Sequence, residues 1–137
     1  MRKRDCRNVI SFYFLLLKGG FAIMKVFLSH PMNNIPYDEI FRIRNDAISK
    51  ISKLYPDTEI EIIDNYTHLN APKNAGRLYH LGISIGQMEE ADIIYFCKGW
   101  TKAKGCQIEY RVADLYGLKI LNEDLSTIGD LWIKKPE

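Results

Sequence analysis

Three features of this 137-residue chain predict an α/β fold with a parallel sheet. Short apolar runs, KVFLS (Lys25 to Ser29) and ADIIYF (Ala91 to Phe96), have the length of buried strands. Between and after them lie segments whose apolar residues recur at three- and four-residue steps, the period of a helix packed on one side. Breakers separate the two kinds of segment: Tyr55-Pro56-Asp57, the Asn-, Pro- and Gly-rich stretch Asn65 to Gly76, and Gly117. Strands alternating with helices fold by right-handed crossovers onto a parallel sheet. The simplest such layout is a flavodoxin-like (Rossmann-like) three-layer sandwich with strand order 2-1-3-4-5. The length suits one domain with a substantial core.

The elements follow in order. Lys25 to Ser29 is the first strand, and Pro36 to Leu54 the first helix, with Ile40, Ile43, Ala47, Ile51 and Leu54 in register and Pro36 near the first turn. Glu59 to Asp64 (EIEIID) alternates acid and isoleucine, as an edge strand with one wet face does. A second helix runs from Arg77 to about Glu90 on the stripe Leu78, Leu81, Ile85 and Met88. Ala91 to Phe96 is the central strand, and Gly105 to Tyr116 the third helix, expected to bury Ile108, Val112 and Leu115. Gly117 stops that helix before a fourth strand, Leu118 to Asn122. A short helical piece at Leu125 to Ile128 and a fifth strand, Leu131 to Lys135, complete the domain over 24–137.

Residues 1–23 read differently. VISFYFLLL behind MRKR has the look of a signal peptide or short anchor. It falls short of the ~20 apolar residues a spanning helix needs, and no small-x-small cleavage site follows. Lys18-Gly19-Gly20, three residues before Met24, also has codons that can spell a purine-rich ribosome-binding site. We therefore read 1–23 as a non-native or disordered extension and Met24 as the start; a membrane or export segment and a genuine structural element are the alternatives.

Charge and cysteine content exclude several classes. Nineteen basic and seventeen acidic residues give +2, and MRKRDCR holds enough of the excess to leave the remainder near −1. That remainder has no basic footprint for nucleic acid. Cys6, Cys97 and Cys106 are odd in number and lack CxxC spacing, so neither a disulfide framework nor a zinc site is expected. With no metal-ligand cluster and no dinucleotide fingerprint, no cofactor is expected, and a reducing cytoplasm is the simplest setting.

Open α/β sheets bind ligands at the carboxyl ends of their strands. Three such ends should meet here: Ser29, His30, Pro31, Met32 and Asn33 after strand one, Asp64 to Tyr66 after strand two, and Gly99 and Trp100 through Gly105 after strand three. They offer hydroxyl, imidazole, amide and carboxylate groups beside a large aromatic surface, which suits a sugar carrying a flat base. Glu109, early in the third helix, is the leading candidate for chemistry, near helix N–H groups able to bind an anion.

With SHPMNN, MEEADIIYFCKGW and GCQIEYRVADLYG in place, the chain from about Met24 to Ile120 resembles the nucleoside 2-deoxyribosyltransferase-like family, including its small phage and bacterial branch. The most specific match is Gly105 with Glu109, where that family carries its nucleophilic glutamate. The resemblance implies attack on the anomeric carbon, loss of the base, and a glycosyl-enzyme resolved by a second base or by water, in the manner of retaining glycosidases. It also implies a homo-oligomer in which neighbouring subunits complete the site. Two positions depart from the pattern. Ser84 stands where the family has an aspartate that positions substrate and protonates the leaving base, and Ala103 or Lys104 stands where it has Asp or Ser. A serine is no general acid at neutral pH, a role worth about 100- to 10,000-fold; His30, Asp64 and His80 are the substitutes within the sequence.

Each candidate has a purely structural reading. Glu109 can serve as an electrostatic cap of its helix, and Asp64 can simply end a strand. His30 and His80 can be hydrogen-bonded structural histidines, Trp100 a packing residue, and Cys97 and Cys106 small buried hydrophobes. Gly82 and Gly86, four apart, permit close backbone approach to the sheet or a second copy. The expected function is nucleoside or nucleotide binding with N-glycosidic cleavage or deoxyribosyl transfer. The alternatives are a non-catalytic protein holding a nucleotide or ADP-ribose-like ligand and an interaction protein with an idle pocket.

Overall fold

The computed structural model of the chain describes residues 22–65 and 68–123. Four strands, β1 (Ala22–Ser29), β2 (Thr58–Ile62), β3 (Ile93–Phe96) and β4 (Ile120–Asn122), pair in the order β2-β1-β3-β4. All three pairings are parallel. β1 begins two residues before Met24, with Ala22 opposite Thr58 and Ile23 opposite Glu59. The inner strands are buried throughout Val26–Ser29 and Ile93–Phe96, which is why both read as unbroken apolar runs. β2 lies at the edge, its Glu59 and Glu61 exposed and its isoleucines half-buried. The expected elements at Leu125 to Ile128 and Leu131 to Lys135 lie outside the described residues.

Helices cover both faces of the sheet. On one side α1 (Tyr37–Leu54) seats Ala47 and Ile51 against Val26, Leu28 and Ile93. On the other, α2 (Arg77–Met88) and α3 (Lys104–Leu115) bring Met88, Cys106, Tyr110 and Ala113 onto Phe27, Ile94 and Phe96. Period-two alternation along β1 sorts its side chains between these layers. Phe27 goes to the α2/α3 side and Leu28 to the α1 side.

Two helix faces differ from expectation. On α2, Met88 is buried as expected, but Leu78 is 80% exposed and Ser84 is buried beside the stripe. α3 turns Ile108 and Leu115 outward, at 42% and 65% exposure, and buries Cys106, Glu109, Tyr110 and Ala113. The small Cys106 and Ala113 let the helix lie close to the sheet, while Tyr110 fills the space beside Phe96 and Trp100. Leu54 likewise ends α1 in solvent at 42% exposure.

The loop after β3 forms a 3₁₀ turn, Trp100–Lys102, entered through Gly99 at φ +85°. A side chain at Gly99 would be strained by that φ and would meet Pro31 Cγ at 3.4 Å. Gly117, at φ +67°, closes α3 as expected of a helix-stop glycine.

Candidate functional site

The backbone ladder continues past the strand ends, where the Cys97 N–H donates to the Ser29 carbonyl at 2.8 Å. That holds the β1 and β3 loops side by side, with Gly99 against Pro31. Ser29 is fully buried, and the alternation that sends Phe27 to the α2/α3 layer sends its hydroxyl there as well. It donates to Glu109 Oε1 at 2.6 Å across 80 residues of chain.

Glu109 is 6% exposed. Burial pushes its carboxyl up to about 7, against the opposing pull of the Ser29 hydrogen bond. The residue is the sixth of α3, past the first turn where the helix dipole acts, and its side-chain partner is Ser29 rather than the helix terminus. The capping role therefore does not describe it. A carboxylate here is thinly solvated and anchored at one oxygen, the condition in which a negative charge attracts a cationic carbon centre most strongly. α3 starts without a side-chain cap. An added Cβ at Gly105 would meet Leu81 Cδ1 at an ordinary 3.8 Å, so packing does not demand glycine there.

His30, the first residue after β1, turns to the α1 side of the sheet. Arg44 Nη1 donates to His30 Nε2 at 2.6 Å and to Asn65 Oδ1 at 3.2 Å, and Asn65 Nδ2 donates to the Leu28 carbonyl at 2.8 Å. Burial and the Arg44 guanidinium hold the imidazole down at about 4. It is thus a neutral group bracing α1 against the sheet edge, away from Glu109. A cavity of about 300 Å3 on this α1 side is lined by Glu39, Arg42, Asp46, Cys97, Lys98 and Glu123 among others, and not by Glu109.

The remaining candidates separate. Met32 and Asn33 are exposed in the β1 loop, and Asp64 is exposed while its neighbour Asn65 is buried. Trp100, 7% exposed, packs with its ring centroid 5.0 Å from both Phe96 and Tyr110, the packing role. Cys97 and Cys106 are buried free thiols pushed upward by burial, Cys106 to about 12. They behave as small hydrophobes rather than nucleophiles. Ser84 is buried on α2 with its Oγ 3.4 Å from His68 Nε2, and His68 Nδ1 lies 2.9 Å from His80 Nδ1. His68 sits in the Asn- and Pro-rich loop at φ +42°, a position that no pattern in the sequence picks out.

Among the described residues no group of three or more His, Cys, Asp or Glu is arranged to hold a metal ion, and no helix is long and apolar enough to cross a membrane. No family model, curated protein or solved structure matches the chain.

Proposed function

We propose that the protein binds a nucleoside or nucleotide at the carboxyl edge of its sheet and cleaves the N-glycosidic bond, or transfers the deoxyribosyl group, with Glu109 as nucleophile. The observation that carries this reading is the buried Ser29–Glu109 hydrogen bond at the end of β1. An ionisable group so placed works against folding, which is the usual mark of a side chain kept for chemistry. One oxygen is fixed by Ser29, which leaves the other to approach an anomeric carbon. Motif resemblance adds to this through Gly105 and Glu109, and the uncapped start of α3 suits a phosphate or hydroxyl. The finer layout in this reading is flavodoxin-like, with Leu131 to Lys135 as a fifth strand beside β4, in a cytoplasmic protein without a cofactor.

The test is incubation with a panel of deoxynucleosides and their monophosphates while free base is followed. Release by the wild type and none by Glu109→Ala is expected; equal release by the two removes the enzyme claim. Ser84, a hydroxyl where an acid would serve, favours one second reading, a non-catalytic protein that sequesters a nucleotide or ADP-ribose-like ligand. Ligand recovered intact after denaturation would support it.

We also propose a homo-oligomer. Leu78, Gly82 and Gly86 form an exposed stripe on α2, with open space where a Cβ at either glycine would stand. Light scattering should give more than one chain mass, and Gly82→Leu should lower it; a wild-type monomer at working concentration rejects the assembly.

A further inference from the structure

We infer that His68 and His80 form a proton relay whose last link, the Ser84 hydroxyl, protonates the leaving base; this rests on the glycosidic reading above. The three side chains lie in line. Ser84 Oγ is 3.4 Å from His68 Nε2, and the other nitrogen of that ring, Nδ1, is 2.9 Å from His80 Nδ1. The two imidazole planes lie within 10° of parallel, with centroids 5.1 Å apart. Ser84 is 5% exposed, whereas both imidazoles are half-exposed, so the line runs from solvent into the interior.

It ends in the layer that holds Glu109. Around Ser84 on α2, Leu81 reaches toward Gly105 at the start of α3, and Ile85 packs on the cluster containing Cys106, Tyr110 and Ala113. Ser84 is thus buried on α2 between one residue that reaches α3 and another that packs on the core cluster to which α3, the helix that carries Glu109, contributes.

A hydroxyl alone is too weak an acid for this task, but a hydroxyl backed by an imidazole passes a proton without holding a charge. An Nδ1···Nδ1 contact at 2.9 Å requires one ring to donate and the other to accept. With one extra proton, His80 donates from Nδ1 to His68 Nδ1, and His68 donates from Nε2 to Ser84 Oγ. As the bond from the anomeric carbon to the base nitrogen breaks and the bond to Glu109 forms, the Ser84 proton moves to the base. In the same step the His68 Nε2 proton replaces it, and the His80 Nδ1 proton passes to His68, so that Ser84 never carries a charge. The pair falls from one positive charge to none, Glu109 from one negative charge to none, and the base leaves protonated. When water cleaves the glycosyl-enzyme, its proton returns through Ser84 to His68 Nε2 and the His68 Nδ1 proton returns to His80, which restores both the relay and the Glu109 carboxylate. Burial and the neighbouring His80 hold the His68 imidazole below its ordinary value, and Asp64, at the end of β2, opposes them. The edge of the Tyr79 ring meets His80 from within α2.

The test compares two substrates, a natural deoxynucleoside and a 4-nitrophenyl 2-deoxyriboside whose leaving group needs no proton. In His68→Gln, His80→Gln and Ser84→Ala, base release is expected to fall about 100-fold or more, with nitrophenolate release unchanged. The alkaline limb of the pH profile is expected with the nucleoside only. Ser84→Asp in the His68→Gln background, which supplies a carboxylic acid directly, is expected to restore base release. Undiminished base release in His68→Gln overturns the relay and leaves Glu109 untouched, whereas no release of either leaving group by the wild type overturns the reaction itself. If a variant loses both rates because it fails to fold, ¹⁵N NMR of the wild-type imidazoles decides. Joint titration of His68 and His80, altered in Ser84→Ala, supports the relay, and independent titration overturns it.

Discussion

At the residue scale, Glu109 is expensive to keep. Its carboxyl sits at about 7 in the folded chain against 4.5 for the ordinary group, so between those values the folded state holds a proton that the unfolded chain has lost. Stability is therefore present in full below the unfolded value and declines as pH rises toward the folded one, by about 3 kcal/mol in total. Glu109→Gln, which keeps the Ser29 hydrogen bond but cannot ionise, should be more stable than wild type by about 3 kcal/mol more at about pH 8 than at about pH 4.5, read by urea melts. A pH-independent difference would mean that the carboxyl is well solvated and unsuited to the proposed chemistry. Its place at the sheet edge and the Gly105–Glu109 motif resemblance together made this residue a candidate, since position alone favours a helix cap, but its Ser29 partner, 80 residues away, was visible only as a member of the same edge.

Elements were legible where side-chain volume and polarity agree with burial. β1 and β3 read as unbroken apolar runs and α1 as a clean stripe, and all three form near the expected bounds. α3 misled because its inner face carries a carboxylate, a cysteine and an alanine, while Ile108 and Leu115 face out. A periodicity that rewards large aliphatic residues turns such a helix the wrong way, and a charged group on the buried face is where local pattern and function part. Trp100 was ambiguous for a related reason, since a tryptophan after a strand can stack on a base or fill a gap. Its contacts with Phe96 and Tyr110 fasten the 3₁₀ turn to α3. Trp100→Ala should cost about 3–5 kcal/mol of unfolding free energy, in the range for large aromatic truncations. A loss under about 1 kcal/mol would place the ring outside the core that those contacts describe.

For the whole molecule, two buried groups on opposite faces of the sheet set opposing pH dependences. His30, held at about 4 against 6.5 for the ordinary imidazole, contributes stability that is complete above the unfolded value and is lost as pH falls toward the folded one. Glu109 acts in the reverse sense over 4.5 to about 7. In the shared window the two slopes, each worth about 3 kcal/mol, nearly cancel, so wild-type stability should be close to flat. Glu109→Gln should then lose stability toward acid and His30→Gln should gain it, as thermal melts across the window would show. Parallel slopes in the two variants would contradict the opposed placement. The most direct measurement for the whole account is peptide mapping by mass spectrometry after rapid acid quench of the protein with a deoxynucleoside. A deoxyribosyl unit bound through Glu109, and absent from Glu109→Gln, is the expected result. Base released at full rate with no adduct on that peptide, or with the adduct on another residue, would contradict it.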